Sequence, residues 1–234
     1  MATTDPKILA LRQKVEAAQQ EFDMAVTFHE VWKPAAYDTD LHARMGTSYA
    51  TQAFRVIRTA LRREMVLSLM RMWDTDPRSV RRQVIIDAIQ TGDMMNALTK
   101  DRVANLGISG VDAAMRADLT RKANEAIALA AKYDKGGPHE LVLERLRSLR
   151  HTRLAHRQVT PVKATGADLT DQEIEDFYQD NSKLIRILLS LVNAHAYNPN
   201  ETAGVFRQYA GHFWAGMRGE QTEGHPNYRP RPAG

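Results

Sequence analysis

Apolar residues recur at steps of three and four along most of the chain, the spacing that places side chains on one face of an α-helix. Two stripes are especially regular, one near residue 60 and one near residue 180. No segment alternates apolar and polar residues over the length of a half-buried β-strand. The pattern therefore predicts an all-α protein built as a helical bundle. The first stripe consists of Phe54, Ile57, Leu61, Met65, Leu69 and Met72, and the second of Ile174, Phe177, Ile185, Leu188, Leu189 and Val192.

Prolines and capping residues set the predicted helix boundaries in the first half of the chain. Asp5-Pro6 is an N-cap followed by a first-turn proline, and we expect its helix to end near Trp32, before Lys33-Pro34. One long helix should then extend from about residue 41 to residue 73. Asp76-Pro77 repeats the N-cap and proline signal, which predicts that a shorter helix begins there.

Glycines and a capping box divide the second half of the chain. Three glycines between residues 92 and 110 bound one or two short helices, which either cover a cleft or pack ordinarily. An alanine-rich stretch predicts a closely packed helix over 111–133, and Gly136-Gly137-Pro138 separates it from a helix over about 139–157. Thr170 and Glu173 have capping-box spacing, and a last helix covers about 201–217. We expect one helical domain over 1–217 and a mobile tail over 218–234.

Composition narrows the class of protein. Of the 234 residues, 43% are hydrophobic and 26% are charged, which is ordinary for a globular protein. The absence of cysteine excludes disulfides, thiolate metal sites and a catalytic thiol. No apolar run approaches the roughly 20 residues of a membrane span, and the N-terminus has no signal-peptide pattern. We therefore expect a cytoplasmic protein that does not enter the membrane.

Arginines are clustered although the net charge is only +4. One cluster, at residues 55–63, suits either phosphate binding or a solvated helix face. The other extends from Arg145 to Arg157 and includes two histidines, His151 and His156. Imidazole transfers protons near neutral pH, and guanidinium offers a planar fork to phosphate. The second cluster is therefore the candidate site.

These residue types are suited to cleaving RNA without a metal. Such a reaction needs a base for the 2′-hydroxyl proton, a cation for charge at phosphorus and an acid for the leaving 5′-oxygen. On a regular helix, Arg150 and His156 are rotated by about 120° from each other, so they cannot act side by side. Either a kink or a second subunit must bring them together.

The order arginine, polar residue, four residues and histidine resembles the motif of HEPN domains, and Arg150, His151 and His156 match it. The surrounding sequence resembles the abortive-infection U-type branch, in which a long helix ending in Arg71-Met72-Trp73-Asp74 precedes the motif helix. This resemblance implies a homodimeric ribonuclease that needs no cofactor or metal and acts in phage defence or as a toxin. A cognate antitoxin or regulatory protein is a possible further partner, whose existence the sequence leaves open. Arg150 would hold phosphate, His156 would be the acid or base, and His151 would support them.

Five further residues, four arginines and one aspartate, are expected to assist the candidate site. Arg147, Arg153 and Arg157 would contact RNA phosphates or face solvent. Arg71 and Asp74 are three apart at a helix end, where they would form an ion pair with a cap or support the motif helix.

Three alternative functions remain open. The basic helix could bind RNA, a nucleotide or a protein without chemistry, or the bundle could be a structural scaffold. A metal site is also conceivable around one loop, although its residues fit no established ligand spacing. The metal-ligating residue types there are His29, Glu30, Asp38, Asp40 and His42. The sequence contains no glycine-rich phosphate loop and no serine-hydrolase elbow.

Overall fold

The computed structural model describes residues 5–46, 48–74, 76, 81–150 and 169–219, and within these ranges it contains nine α-helices and no β-strand. The all-α prediction is therefore confirmed. The helices are α1 (Pro6–Tyr37), α2 (Thr39–Gly46), α3 (Thr51–Met72), α4 (Arg82–Gln90), α5 (Gly92–Leu106), α6 (Asp112–Ala131), α7 (Glu140–Leu149), α8 (Asp171–Leu188) and α9 (Pro199–Ala215). A π-helical turn, Leu189–Asn193, continues α8.

The chain divides into two compact units. The first comprises Met1–Met24 and Val66–Pro199, and the second comprises Ala25–Met65 and Asn200–Gly234. In the first unit α6 packs against α4, α5 and α8. Fully buried apolar side chains form its core, among them Val15, Phe22, Leu69, Ile85, Leu98, Leu119, Phe177 and Leu188.

The second unit has an aromatic core of its own. Its central cluster joins α1, α2, α3 and α9, and the rings of Phe54 and Trp214 meet edge to face at 5.6 Å. The Trp214 indole N–H donates to the carbonyl of Val31 at 2.9 Å. The buried members of this cluster are Ala35, Leu41, Met45, Phe54, Ala210 and Trp214.

Two predicted helix boundaries in the first half of the chain are wrong. Helix α1 continues through Pro34 to Tyr37, and burial of Trp32 and Ala35 offsets the helix bond that the proline cannot make. The long helix expected over 41–73 is divided into α2 and α3. The hydroxyl of Thr51 donates to the carbonyls of Met45 at 2.6 Å and Ser48 at 2.5 Å, which stabilises a turn instead of a continuous helix.

A third correction concerns the helix expected at Asp76-Pro77. Helix α4 begins at Arg82, and the residue before it, Arg81, is extended and pairs with Trp73 in an isolated antiparallel bridge. That bridge holds Arg81 in an extended conformation, so α4 begins at Arg82 and not at Pro77. Residues 77–80 lie outside the described ranges.

Boundaries in the second half are closer to the prediction. Helix α6 begins after Val111 and ends at Ala131, and Gly136 in the following turn has a left-handed φ of 83°. The capping box is confirmed, because the Thr170 side chain accepts from the Glu173 backbone N–H and the Glu173 carboxylate accepts in return from Thr170. The segment from Gly92 is one helix, α5, that packs on α4 and α6. The tail expected at 218–234 lies outside the described residues from 220 onward.

Candidate active site

The end of helix α7 carries the part of the candidate site that the structure describes. Arg147 lies in the last turn of α7, and Arg150 follows Leu149 with helical backbone angles of −59° and −49°. The remaining predicted residues of this segment, His151, Arg153, His156 and Arg157, lie outside the described ranges.

Arg150 is oriented by an ion pair with Asp74. Its Nη2 donates to Asp74 Oδ2 at 2.6 Å, and the two side chains are 25% and 17% exposed. Asp74 follows the end of α3, where its other carboxylate oxygen accepts from the backbone N–H of Asp76 at 3.1 Å. Two predicted site residues that are distant in sequence thus meet. Since the pair uses one N–H of a guanidinium that has five, Arg150 retains donors for a phosphate.

Arg71 has a different carboxylate partner. Its Nη1 donates to Glu21 on α1 at 3.0 Å, and the two side chains are 49% and 26% exposed. We expected Arg71 and Asp74 either to pair or to support the motif helix. In the structure Asp74 contacts the motif arginine, whereas Arg71 joins α3 to α1.

A buried cluster of aromatic and polar side chains surrounds Trp73, the residue before Asp74. Trp73 is 4% exposed, and its indole N–H donates to the side-chain oxygen of Asn181 at 2.7 Å. The Arg82 guanidinium carbon lies 4.1 Å from the centre of the Trp73 ring. Arg82 also donates to the carbonyl of Ala130 at 3.0 Å and to Asp134 at 2.7 Å. These contacts compensate the burial of a charge and fix the residue that precedes Asp74.

Sequence reasoning missed this cluster, although one of its members carries a detectable signal. Asn181 lies four residues after Phe177 and four before Ile185, so it is a polar residue on the predicted apolar stripe of α8. Such a position commonly satisfies a buried donor, here Trp73. Arg82 carries no comparable signal, since arginine is ordinarily exposed at a helix start.

The comparison with known families agrees with these observations. Residues 8–213 match the model of a HEPN family described as AbiU2. The chain belongs to this AbiU2 family of HEPN proteins. The family resemblance inferred from the Arg150 motif is therefore confirmed. No curated protein and no solved structure matches the chain.

Further contacts in this AbiU2-family protein fix α7 against its neighbours. Arg145 forms an ion pair with Glu173 at the start of α8. The backbone N–H of Thr170 has the largest effect on the pKa of Glu173 and lowers it. Burial opposes this with a smaller rise, and the Arg145 bond lowers the pKa further. The Tyr133 hydroxyl donates to Asp180 at 2.9 Å. Burial and that acceptor raise the pKa of the tyrosine and keep its hydroxyl protonated.

The metal alternative gains no geometric support. Among the described residues, no three histidine or carboxylate side chains are grouped as ligands would be. His42 Nε2 donates to the carbonyl of Ala35 at 2.6 Å, and Asp38 accepts from the backbone N–H of Leu41 at 2.9 Å. Within the same ranges, no helix of this AbiU2-family protein is long and apolar enough to cross a bilayer.

Proposed function

We propose that this AbiU2-family protein is a metal-independent endoribonuclease that acts as a homodimer. His156 takes the proton of the 2′-hydroxyl, and Arg150 stabilises the charge that develops at phosphorus. His151 supports these two groups. The 2′-oxygen forms its bond to phosphorus while the bond to the 5′-oxygen breaks, so the products are a 2′,3′-cyclic phosphate and a free 5′-hydroxyl. His156 of the opposing motif protonates the leaving 5′-oxygen, which becomes that hydroxyl.

The observation that carries this proposal is the contact between Arg150 and Asp74. The Asp74 carboxylate, which follows the end of α3, orients the motif arginine at the end of α7. The pair is partly exposed, so the guanidinium is both held in one direction and accessible to a phosphate. This is the arrangement expected of a preorganised electrostatic group.

Helix geometry supports a composite site. On a regular helix Arg150 and His156 would be rotated by about 120° from each other, so either a kink or a second copy of the motif must bring an arginine and a histidine to one phosphate, and we propose the second copy. The family supports the wider setting that we propose, in which the ribonuclease acts in phage defence or as a toxin held in check by a cognate partner.

Cleavage of RNA in the presence of a metal chelator tests the proposal. Wild-type protein should produce ends with 2′,3′-cyclic phosphate, and His156→Ala and Arg150→Ala should each lower the rate at least a hundredfold. Arg121→Ala is the matched control, because Arg121 is 64% exposed and belongs to a surface ion pair with Asp118. Equal cleavage by wild type and His156→Ala would remove the assignment.

The non-catalytic alternative gives a different result in the same assay. A binding module would retain RNA binding that weakens with salt, but it would release no cyclic phosphate from any substrate. Growth after expression in a host cell provides a second readout. We expect wild type to arrest growth and the Arg150→Ala and His156→Ala variants to permit it.

A further inference from the structure

A cleft lies beside the face of α7 that carries Arg147. It has a volume of about 340 Å³, which is within the range of about 300–1,000 Å³ for small-molecule sites. Glu140, Glu144 and Arg147 are spaced four and three residues apart, so they share one face of the helix. The residues that line the cleft are Tyr133, Asp134, Lys135, Glu140, Glu144 and Arg147.

The walls of this cleft are already fixed by contacts within the chain. The Tyr133 ring is 3% exposed and stacks on His139 with 5.3 Å between ring centres. Glu140 accepts from the backbone N–H of Gly136 at 2.7 Å. A Cβ at Gly137 would lie 2.4 Å from the carbonyl oxygen of Ala131, so the turn closes too tightly for any larger residue. The cleft is therefore formed before any ligand binds.

Three of the lining side chains differ from the others, because they have no ion pair or hydrogen bond with any residue that the structure describes: Lys135, Glu144 and Arg147. Two of them are cations and one is a carboxylate. A ligand that satisfies all three must combine an anionic group with hydrogen-bond donors. Single-stranded RNA provides both, since each nucleotide carries a phosphate and three of the four bases carry an exocyclic amine.

We propose that this cleft is a nucleotide subsite next to the scissile phosphate, in which Arg147 and Lys135 bind an RNA phosphate and Glu144 accepts from the amine of a base. The placement rests on the ribonuclease function proposed above. Arg147 precedes Arg150 by three residues, which is a rise of about 4.5 Å along the helix. An RNA strand bound to Arg150 would therefore also pass close to Arg147. Carboxylates accept from the amine of cytosine, whereas uracil has none. The subsite should therefore disfavour uridine.

Binding of uncleavable 2′-O-methyl tetranucleotides tests the subsite separately from catalysis. Wild type should bind the cytidine and adenosine tetramers about fivefold to tenfold more tightly than the uridine tetramer. Glu144→Ala should abolish that preference. Glu144→Gln should keep it, because the amide oxygen still accepts, while affinity for all tetramers rises with the loss of a negative charge. Asp87→Ala, which removes an exposed carboxylate on α4, is the control and should bind as wild type does.

The cations give a second readout. Arg147→Ala and Lys135→Ala should each weaken all tetramers about tenfold and reduce the slope of log affinity against log salt by about one. Lys100→Ala, an exposed cation on α5, should change neither. The subsite is overturned if wild type binds no tetramer, if Glu144→Ala keeps the preference, or if Arg147→Ala binds as wild type does. Base-selective binding by a wild type that cleaves no RNA would support the subsite and refute the ribonuclease.

Discussion

Removal of the Asp74 carboxylate should separate the orientation of Arg150 from the stability of the fold. The ion pair spans 2.6 Å, and its side chains are 25% and 17% exposed. It therefore lies between exposed pairs, which contribute about 0.2–1 kcal/mol, and buried pairs, whose disruption costs about 3–5 kcal/mol. We expect Asp74→Ala to lower the free energy of unfolding by about 1–2 kcal/mol, a fall of about 2–8 °C in Tm.

The effect on catalysis should be larger than the effect on stability. A misplacement of about 1 Å can cost about a hundredfold in rate, so kcat for RNA cleavage should fall by at least tenfold. The KM for RNA should not rise, because the substitution removes a negative charge from the path of a polyanion. Asp118→Ala is the matched control. Its carboxylate binds Arg121 at the same 2.6 Å but is 40% exposed, and we expect wild-type kcat.

A double-mutant cycle decides whether Asp74 acts through Arg150. If it does, Asp74→Ala should change kcat little in an Arg150→Ala background. The measurements are steady-state cleavage rates and urea unfolding curves for the two single variants and the double variant. Wild-type kcat in a folded Asp74→Ala protein would refute the reasoning. So would a double variant whose fall in kcat equals the product of the falls in the two single variants.

Three further predictions concern stability measured by urea unfolding. Asn181→Leu should lower the free energy of unfolding by about 1–3 kcal/mol, because the buried Trp73 indole N–H loses its acceptor. An unchanged free energy of unfolding would contradict this role of Asn181. Pro34→Ala should raise it by about 1–3 kcal/mol, since the new N–H can donate to the carbonyl four residues earlier, and a decrease would show that the ring packs favourably. The Thr170 N–H lowers the pKa of Glu173 in the folded state. Ionised Glu173 therefore stabilises the fold above the unfolded-state pKa of about 4.3, and this stabilisation is lost as the pH falls through the folded-state pKa. Wild type should therefore exceed Glu173→Gln in stability at pH 7, and the difference should shrink as the pH falls below about 4.3. A difference that stays constant as the pH falls would exclude the linkage.

The sequence predicted those features that local chemistry determines. The capping box at Thr170 depends on residues three apart, and the all-α class depends on a periodicity repeated along the chain. It failed where tertiary contacts outweigh local preference. Pro34 is accommodated because the turn around it is buried, and α4 begins late because Arg81 pairs with Trp73. Neither contact can be inferred from neighbours in sequence.

The candidate site shows the same division. The sequence motif identified Arg150, and the predicted end of the long helix at Arg71-Met72-Trp73-Asp74 identified Asp74. Only the fold reveals that the two side chains form an ion pair. Arg82 escaped prediction altogether, because a buried arginine is recognisable only from the ring and the carbonyl that surround it. Sequence therefore identified the groups with chemistry, while the groups that position them required the structure.

The positioning contacts also bear on how a shared active site could work. Within one chain, Arg145 holds α7 against α8 and Asp74 holds Arg150 against the end of α3. The arginine is therefore already oriented within a single chain, so in the proposed ribonuclease little of the binding energy would be needed to order it. If the histidine comes from the opposing chain, dimerisation needs only to bring a proton-transfer group to an electrostatic site that already exists. If the site is divided between two chains in this way, activity would depend on protein concentration, whereas the folding of each protomer would not.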